Sequence, residues 1–332
     1  MKRIDTLALV CAAGMACTAM AQPQSQSQPQ SQPQAAPWPQ RAIKIVTPTP
    51  PGVGSDLFAR SYAEQLSRLL KVPVIVENKP GALSTIGTDA VAKAAPDGYT
   101  VLFSTSNPFT MTPFLLSKLP YTPTEDLVPV TQALKGGSFI VANNAVPARN
   151  ADELVALARR QPGHVSFASY GSGSTSHLGF ELLQEAASVQ MLHVPYKQGA
   201  MPDVIGGQVM LGFEPPISAL PNIKAGRVKA LAYTGSQRSP ALPDVPTLAE
   251  RYPGLEVSTW LGFWLPARTP PHIVERLGQA IHTATRSPEM ARQIADAGLE
   301  PMGTGPENTR AIIEREAATM GRLIKAKGIR ID

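Results

Sequence analysis

The stretch Ile43-Lys44-Ile45-Val46-Thr47-Pro48-Thr49-Pro50-Pro51-Gly52-Val53-Gly54-Ser55-Asp56-Leu57-Phe58-Ala59-Arg60 decides how the rest of the chain is read. Its β-branched run, Ile43 to Val46, reads as a buried parallel strand. Pro50, Pro51, Gly52 and Gly54 then break the strand with a tight loop. Ser55 or Asp56 can cap a helix whose expected apolar face is Leu57, Phe58, Tyr62, Leu66 and Leu69. Strand, glycine loop and helix start together form an anion receptor, because free backbone N–H groups and the positive dipole end converge on one spot.

The same grammar returns about 120 residues later, with strand Val165 to Ser169, loop Tyr170-Gly171-Ser172-Gly173-Ser174-Thr175-Ser176 and a helix to Ala187. Two such receptors point to a small anion held between two lobes. Glycine lets backbone approach a ligand, and Ser55, Ser172, Ser174 and Thr175 add hydroxyl donors. Neither loop completes G-x-G-x-x-G, since Leu57 and Ser176 hold the sixth place, and no G-x-x-x-x-G-K-[ST] occurs.

Between and beyond these loops, strands and helices alternate, which argues for parallel α/β sheets. Strands are expected at 72–77 and 100–104, with loops 81–87 and 104–107 at their carboxyl ends, where ligands sit in such sheets. Gly136 to Ala142 reads as a strand crossing into a second lobe, and Ser258 to Leu265 as the return. Three amphipathic helices near 271–286, 288–297 and 306–327 should then pack on the first lobe. The expected organisation is 41–138 plus 264–332 for one lobe and 139–263 for the other.

The N-terminus is read as processing signal rather than fold. Lys2 and Arg3 precede the apolar run Leu7 to Thr18, and Ala19-Met20-Ala21 offers a cleavage site, so residues 1–21 are expected to be a secretory signal peptide. Residues 22–40, rich in Gln, Pro and Ser, are expected to be a disordered tether. No later run is long and apolar enough to span a membrane. Both cysteines, Cys11 and Cys17, fall in the signal, leaving no disulfide or Cys metal site, and Cys17 only faintly resembles a lipidation site. The formal charge of +5 falls to +4 once Lys2, Arg3 and Asp5 leave. Scattered cations of that number suit small anions and give no basic stripe for nucleic acid.

Catalysis finds no constellation. There is no G-x-S-x-G elbow, Ser174 and His177 lack an orienting acid, and the five histidines show no H-x-x-x-H pair. A hydrolase built on Ser174 and His177 is the weaker alternative. Glu214 is the acid of interest: it follows the apolar strand Val209 to Phe213 and precedes two prolines. It can accept from a ligand, or sit as a helix N-terminal charge. Asp56 reads first as a cap. His177 reads either as a first-turn residue or as a cleft residue. Trp260, Phe263 and Trp264 read as hinge and core.

Six stretches carry a resemblance: Pro50 to Asp56, Val76-Glu77-Asn78-Lys79-Pro80-Gly81, Ala94-Ala95-Pro96-Asp97-Gly98-Tyr99-Thr100, Tyr170 to His177, Val194-Pro195-Tyr196-Lys197 and Ala241-Leu242-Pro243-Asp244-Val245-Pro246-Thr247. In this order they resemble the Bug-type substrate-binding proteins, the TctC-like periplasmic receptors of tripartite tricarboxylate transporters. The resemblance implies an α/β, type II periplasmic binding protein fold, with two α/β lobes joined by two crossing strands. It further implies a monomer without cofactor or metal that grips a small carboxylate by backbone N–H groups and ordered waters, then closes for an inner-membrane permease. A sensor docking on a signalling partner is the alternative. The ligand-meeting residues are expected among Gly52, Val53, Gly54, Ser55, Asp56, Leu83, Ser84, Ser104, Ser106, Asn107, Gly171, Ser172, Gly173, Ser174, Thr175, His177, Tyr196, Gln198 and Glu214. The family often has Asp where this chain has Glu214, and Gly where it has Val53 and Gln198. Leu83 and Gln198 therefore add bulk beside the cleft.

Overall fold

The structure, a computed structural model, describes residues 38–196 and 199–331. The expected signal peptide, most of the expected tether, and Lys197 and Gln198 lie outside the described residues. Trp38, inside the expected tether, is 7% exposed and packs in the first lobe's core.

The chain opens with β1 (Ile43–Thr47), α1 (Gly54–Leu70), β2 (Val74–Asn78), α2 (Thr85–Ala92) and β3 (Thr100–Thr105). Two short helices follow, α3 (Asn107–Thr110), which begins at the last residue of the expected loop, and α4 (Thr112–Leu115). Pro108 and Pro113 each sit in a first turn, the one helical place that tolerates them. Then β4 (Leu127–Gly137) runs into β5 (Phe139–Asn143). The second lobe adds α5 (Ala151–Arg160), β6 (Ser166–Ser169), α6 (Thr175–Ala187), β7 (Leu192–Pro195), α7 (Met201–Gly206), β8 (Leu211–Glu214), α8 (Pro216–Lys224), β9 (Val228–Tyr233) and α9 (Leu248–Arg251). The return is β10 (Ser258–Pro266), followed by α10 (Pro271–Thr285), α11 (Pro288–Asp296), β11 (Glu300–Pro301) and α12 (Pro306–Lys327).

Two sheets result, ordered β11-β4-β10-β3-β1-β2 and β7-β6-β8-β5-β9. They are mixed rather than wholly parallel. β10 runs antiparallel to β3 and β4, and β5 antiparallel to β8 and β9. The reason is topological: a strand that returns through the junction between lobes must run against the strand that left. At that junction Ser138 breaks the outgoing crossing into β4 and β5. The Tyr233 hydroxyl accepts from the Gly137 N–H at 2.8 Å, and Ser138 N–H donates to Thr234 Oγ1 at 2.9 Å. The crossing chains come so close that a Cβ on Gly137 would lie 2.4 Å from the Gly235 nitrogen.

The first lobe's core lies between its sheet and α1. Phe58, Tyr62, Leu66 and Leu70 recur every four residues and are buried. Leu57 and Leu69, expected on this face, are 50% and 42% exposed; each is displaced about a quarter turn from the buried stripe. On the other face of the sheet, Phe109 stacks on Trp264 with centroids 4.4 Å apart, and Trp260 and Trp264 are almost wholly buried. Helix α12 does not stay on the first lobe. Its last turns place Leu323 and Ile324 in the second lobe's core, where Met111 and Leu115 also lie, and Lys327 and Arg322 pair with Glu181 and Glu185 of α6. The lobes are therefore strapped on the α12 face and joined by the crossing strands.

Candidate functional site

The loop between β1 and α1 is open. Gly52, Val53 and Gly54 are exposed, and a Cβ on Gly52 or Gly54 would meet nothing within 4 Å. Val53 holds the N-cap position and cannot cap with its side chain. Asp56 does not cap the helix either. Its buried carboxylate accepts from Gly52 N–H at 2.8 Å, Asn78 Nδ2 at 2.7 Å and Arg60 Nε at 3.0 Å. Burial alone would raise its pKa. The hydrogen bonds from Arg60, Gly52 and Asn78, with the Arg60 charge, outweigh burial and hold the carboxyl below its ordinary range. Asp56 thus rigidifies the loop from beneath. Among the described residues no acceptor faces the N–H groups of Gly54 and Ser55, the first-turn donors that a helix start leaves free.

The neighbouring loop after β2 carries unusual backbone. Ala82, Leu83 and Ser84 have φ of 45°, 53° and 72°, three successive left-handed residues that are not glycine. Each costs of order 1 kcal/mol or more and persists only where surroundings enforce it. Leu83 is 40% exposed, and its carbonyl accepts from Thr112 Oγ1 at 3.3 Å.

The second-lobe loop is filled. Ser174 caps α6, its hydroxyl accepting from His177 N–H at 3.3 Å and donating to the Gly171 carbonyl at 2.6 Å. Gly173 N–H donates to His177 Nδ1 at 3.0 Å, and Gly171 N–H to Ser169 Oγ at 3.1 Å. A Cβ on Gly173 would lie 2.7 Å from Ile331 and 2.9 Å from Leu115. His177 faces inward, stacked on His193 at 3.8 Å between ring centroids. Burial, then the adjacent His193, pushes its pKa down to about 4. With Nδ1 occupied by Gly173 and Nε2 turned to Glu181 at 3.9 Å, His177 has no nitrogen to serve as a base for Ser174.

Glu214 is 2% exposed, and its Oε2 accepts from Tyr170 Oη and Ser218 Oγ, both at 2.9 Å. Burial pushes its pKa up, partly offset by those two hydroxyls. Tyr170, absent from the expected set, is 43% exposed at the loop's edge and held by this bond. Tyr196 donates to Asp203 at 2.8 Å. Ser172 is exposed. Ser104 is buried, and its hydroxyl has no partner.

Two hollows flank the crossing strands. One, of about 500 Å³, is lined by Gly54, Ser55, Leu57 and Thr105 of the first lobe, Ser138 at the crossing, and Pro215 to Ile217 of the second. The other, of about 250 Å³, lies on the α12 face and is lined by Ser106, Asn107 and Thr175 together with Gln132, Lys135 and Glu316. Of the expected residues, Gly54 and Ser55 line the first hollow, Ser106, Asn107 and Thr175 line the second, and the other described ones line neither. Sequence reading missed Gln132 and Lys135; the signal available for them is polar side chains within the largely apolar strand β4. Glu316 accepts from Trp260 Nε1 at 2.8 Å, and burial pushes its carboxyl up to about 7.

Comparison with known proteins agrees with this architecture. The chain matches the family described as "Tripartite tricarboxylate transporter family receptor" over residues 58–329. It is 36% identical over 298 residues to the protein BugT of Bordetella pertussis, covering 89% of this chain and 91% of that protein. The solved structure of the periplasmic binding protein BugD is similar with a TM-score of 0.72 and 34% identity, over 89% of this chain and all of BugD. R. palustris Rpa4515, solved with adipate, gives a TM-score of 0.76 at 28% identity, over 89% of this chain and all of that one. The two-lobed α/β fold and these matches agree: the chain belongs to the TctC family of tripartite tricarboxylate transporter receptors, and is a solute receptor rather than an enzyme.

Proposed function

We propose that this receptor takes a small carboxylate between its lobes, with the carboxylate on the open loop at the start of α1. One observation carries the reading: an exposed, uncapped helix start whose Gly54 and Ser55 N–H groups lack acceptors, beside a hollow lined by both lobes. The strained turn at Leu83 and the related protein solved with adipate support it. Tyr170, Tyr196 and Ser172 would meet the ligand from the second lobe as the lobes close about the Gly137–Gly235 contact. The closed monomer would then present one shape to an inner-membrane permease of the tripartite type. Residues 1–21 would direct the chain to the periplasm.

Thermal-shift measurements test the ligand class, since a ligand of the native state raises its stability. A carboxylate panel is expected to raise the melting temperature and neutral sugars to leave it unchanged. Stabilisation by sugars, with none by carboxylates, would refute the proposal.

A further inference from the structure

We infer that the ligand is a monocarboxylate with an apolar body, aryl or medium-chain alkyl, rather than a short di- or tricarboxylate. The inference rests on the proposed carboxylate seat and adds what lies beyond it. The hollow beside Gly54 and Ser55 has a volume of about 500 Å³, more room than a four-carbon acid fills. Its walls include Leu57, Phe58, Leu261 and Leu299 from the first lobe and crossing strand, and Ile217 from the second. Leu57 and Ile217 are 50% and 67% exposed, two large apolar side chains held in water on opposite walls. An apolar body between them would remove both from water and join the lobes at once.

The charges lining this hollow point the same way. Among the described residues Asp296 is the one acidic side chain in its lining, and neither Lys nor Arg is present. Arg60, the cation nearest in sequence to the Gly54 and Ser55 seat, is committed to Asp56 and Asn78. A second carboxylate entering the hollow would meet apolar walls and a like charge, at the cost of its hydration. An apolar tail carries no such cost.

Isothermal titration of the whole receptor with acetate, phenylacetate, octanoate, malate and adipate tests this, with Leu57→Asn and Ile217→Asn alongside. Phenylacetate or octanoate is expected to bind roughly tenfold or more tighter than acetate or malate, as apolar burial predicts. Each variant should bring the apolar acids down towards acetate, with circular dichroism confirming the fold. Tighter binding of malate or adipate, or variants that leave the apolar preference intact, would overturn the inference while the carboxylate reading stands. If none of the five acids binds, the carboxylate reading falls and the inference with it.

Discussion

The loops at 50–56 and 169–177 share a strand, paired glycines and a helix start, yet they do opposite things. In the first loop the Asp56 side chain turns beneath the chain and leaves the helix start bare. In the second, Ser174 caps the helix, His177 takes the Gly173 N–H, and Ile331 and Leu115 press on Gly173. One loop is anchored with its helix-start donors unpaired; the other is packed and internally satisfied. Whether such a loop can receive an anion depends on where its polar side chains go and on what distant chain covers it.

The comparison breaks most readily at Asp56. Asp56→Ala should lower stability by about 2–4 kcal/mol in urea denaturation, because Gly52 N–H and Asn78 lose their acceptor and the loop its anchor. The matching change in the second loop, Ser174→Ala, removes only a cap and should cost about 1 kcal/mol. Equal losses would mean that Asp56 is no more than a cap.

The glycines sharpen the contrast at somewhat smaller cost. Gly52 and Gly173 have φ of 83° and 75°, so alanine is strained at both. Gly52→Ala meets open space and should cost about 1 kcal/mol. Gly173→Ala also drives into Ile331 and Leu115 and should cost about 2–3 kcal/mol. Similar values from denaturation curves would contradict the packed state of the second loop.

Acid should separate the loops by degree. His177 is neutral in the fold, its pKa held down to about 4 by burial. Its contribution is present above the unfolded value near 6.5 and is lost as pH falls towards 4. Asp56, held low instead, contributes above its unfolded value near 3.8 and is lost only below it. His177→Gln keeps an acceptor for Gly173 but cannot titrate. It should therefore flatten the fall in melting temperature between pH 6.5 and 4, which Asp56→Asn should leave in place.

The sequence made legible what is periodic or local. The middle of the α1 stripe, Phe58, Tyr62 and Leu66, the strand at Ile43 and the long C-terminal helix follow from apolar spacing alone. The open loop was legible too, because prolines and glycines act on their own backbone. What escaped depends on partners far along the chain. Tyr170 meets Glu214 across 44 residues and Trp260 meets Glu316 across 56, and neither pair leaves a local pattern. Nor does spacing tell that Leu323 and Ile324 carry α12 into the second lobe. Leu57 reads from the sequence as part of the apolar face of α1. Only the fold shows that it faces the hollow between the lobes.

The central claim is that the bare start of α1, and not the filled loop at the start of α6, seats the ligand's charge. A crystal structure with phenylacetate bound measures this directly. The carboxylate is expected within hydrogen-bond distance of the Gly54 and Ser55 N–H groups, with the ring towards Leu57 and Ile217. A carboxylate bound instead beside Thr175 and Lys135, in the hollow on the α12 face, would contradict the account.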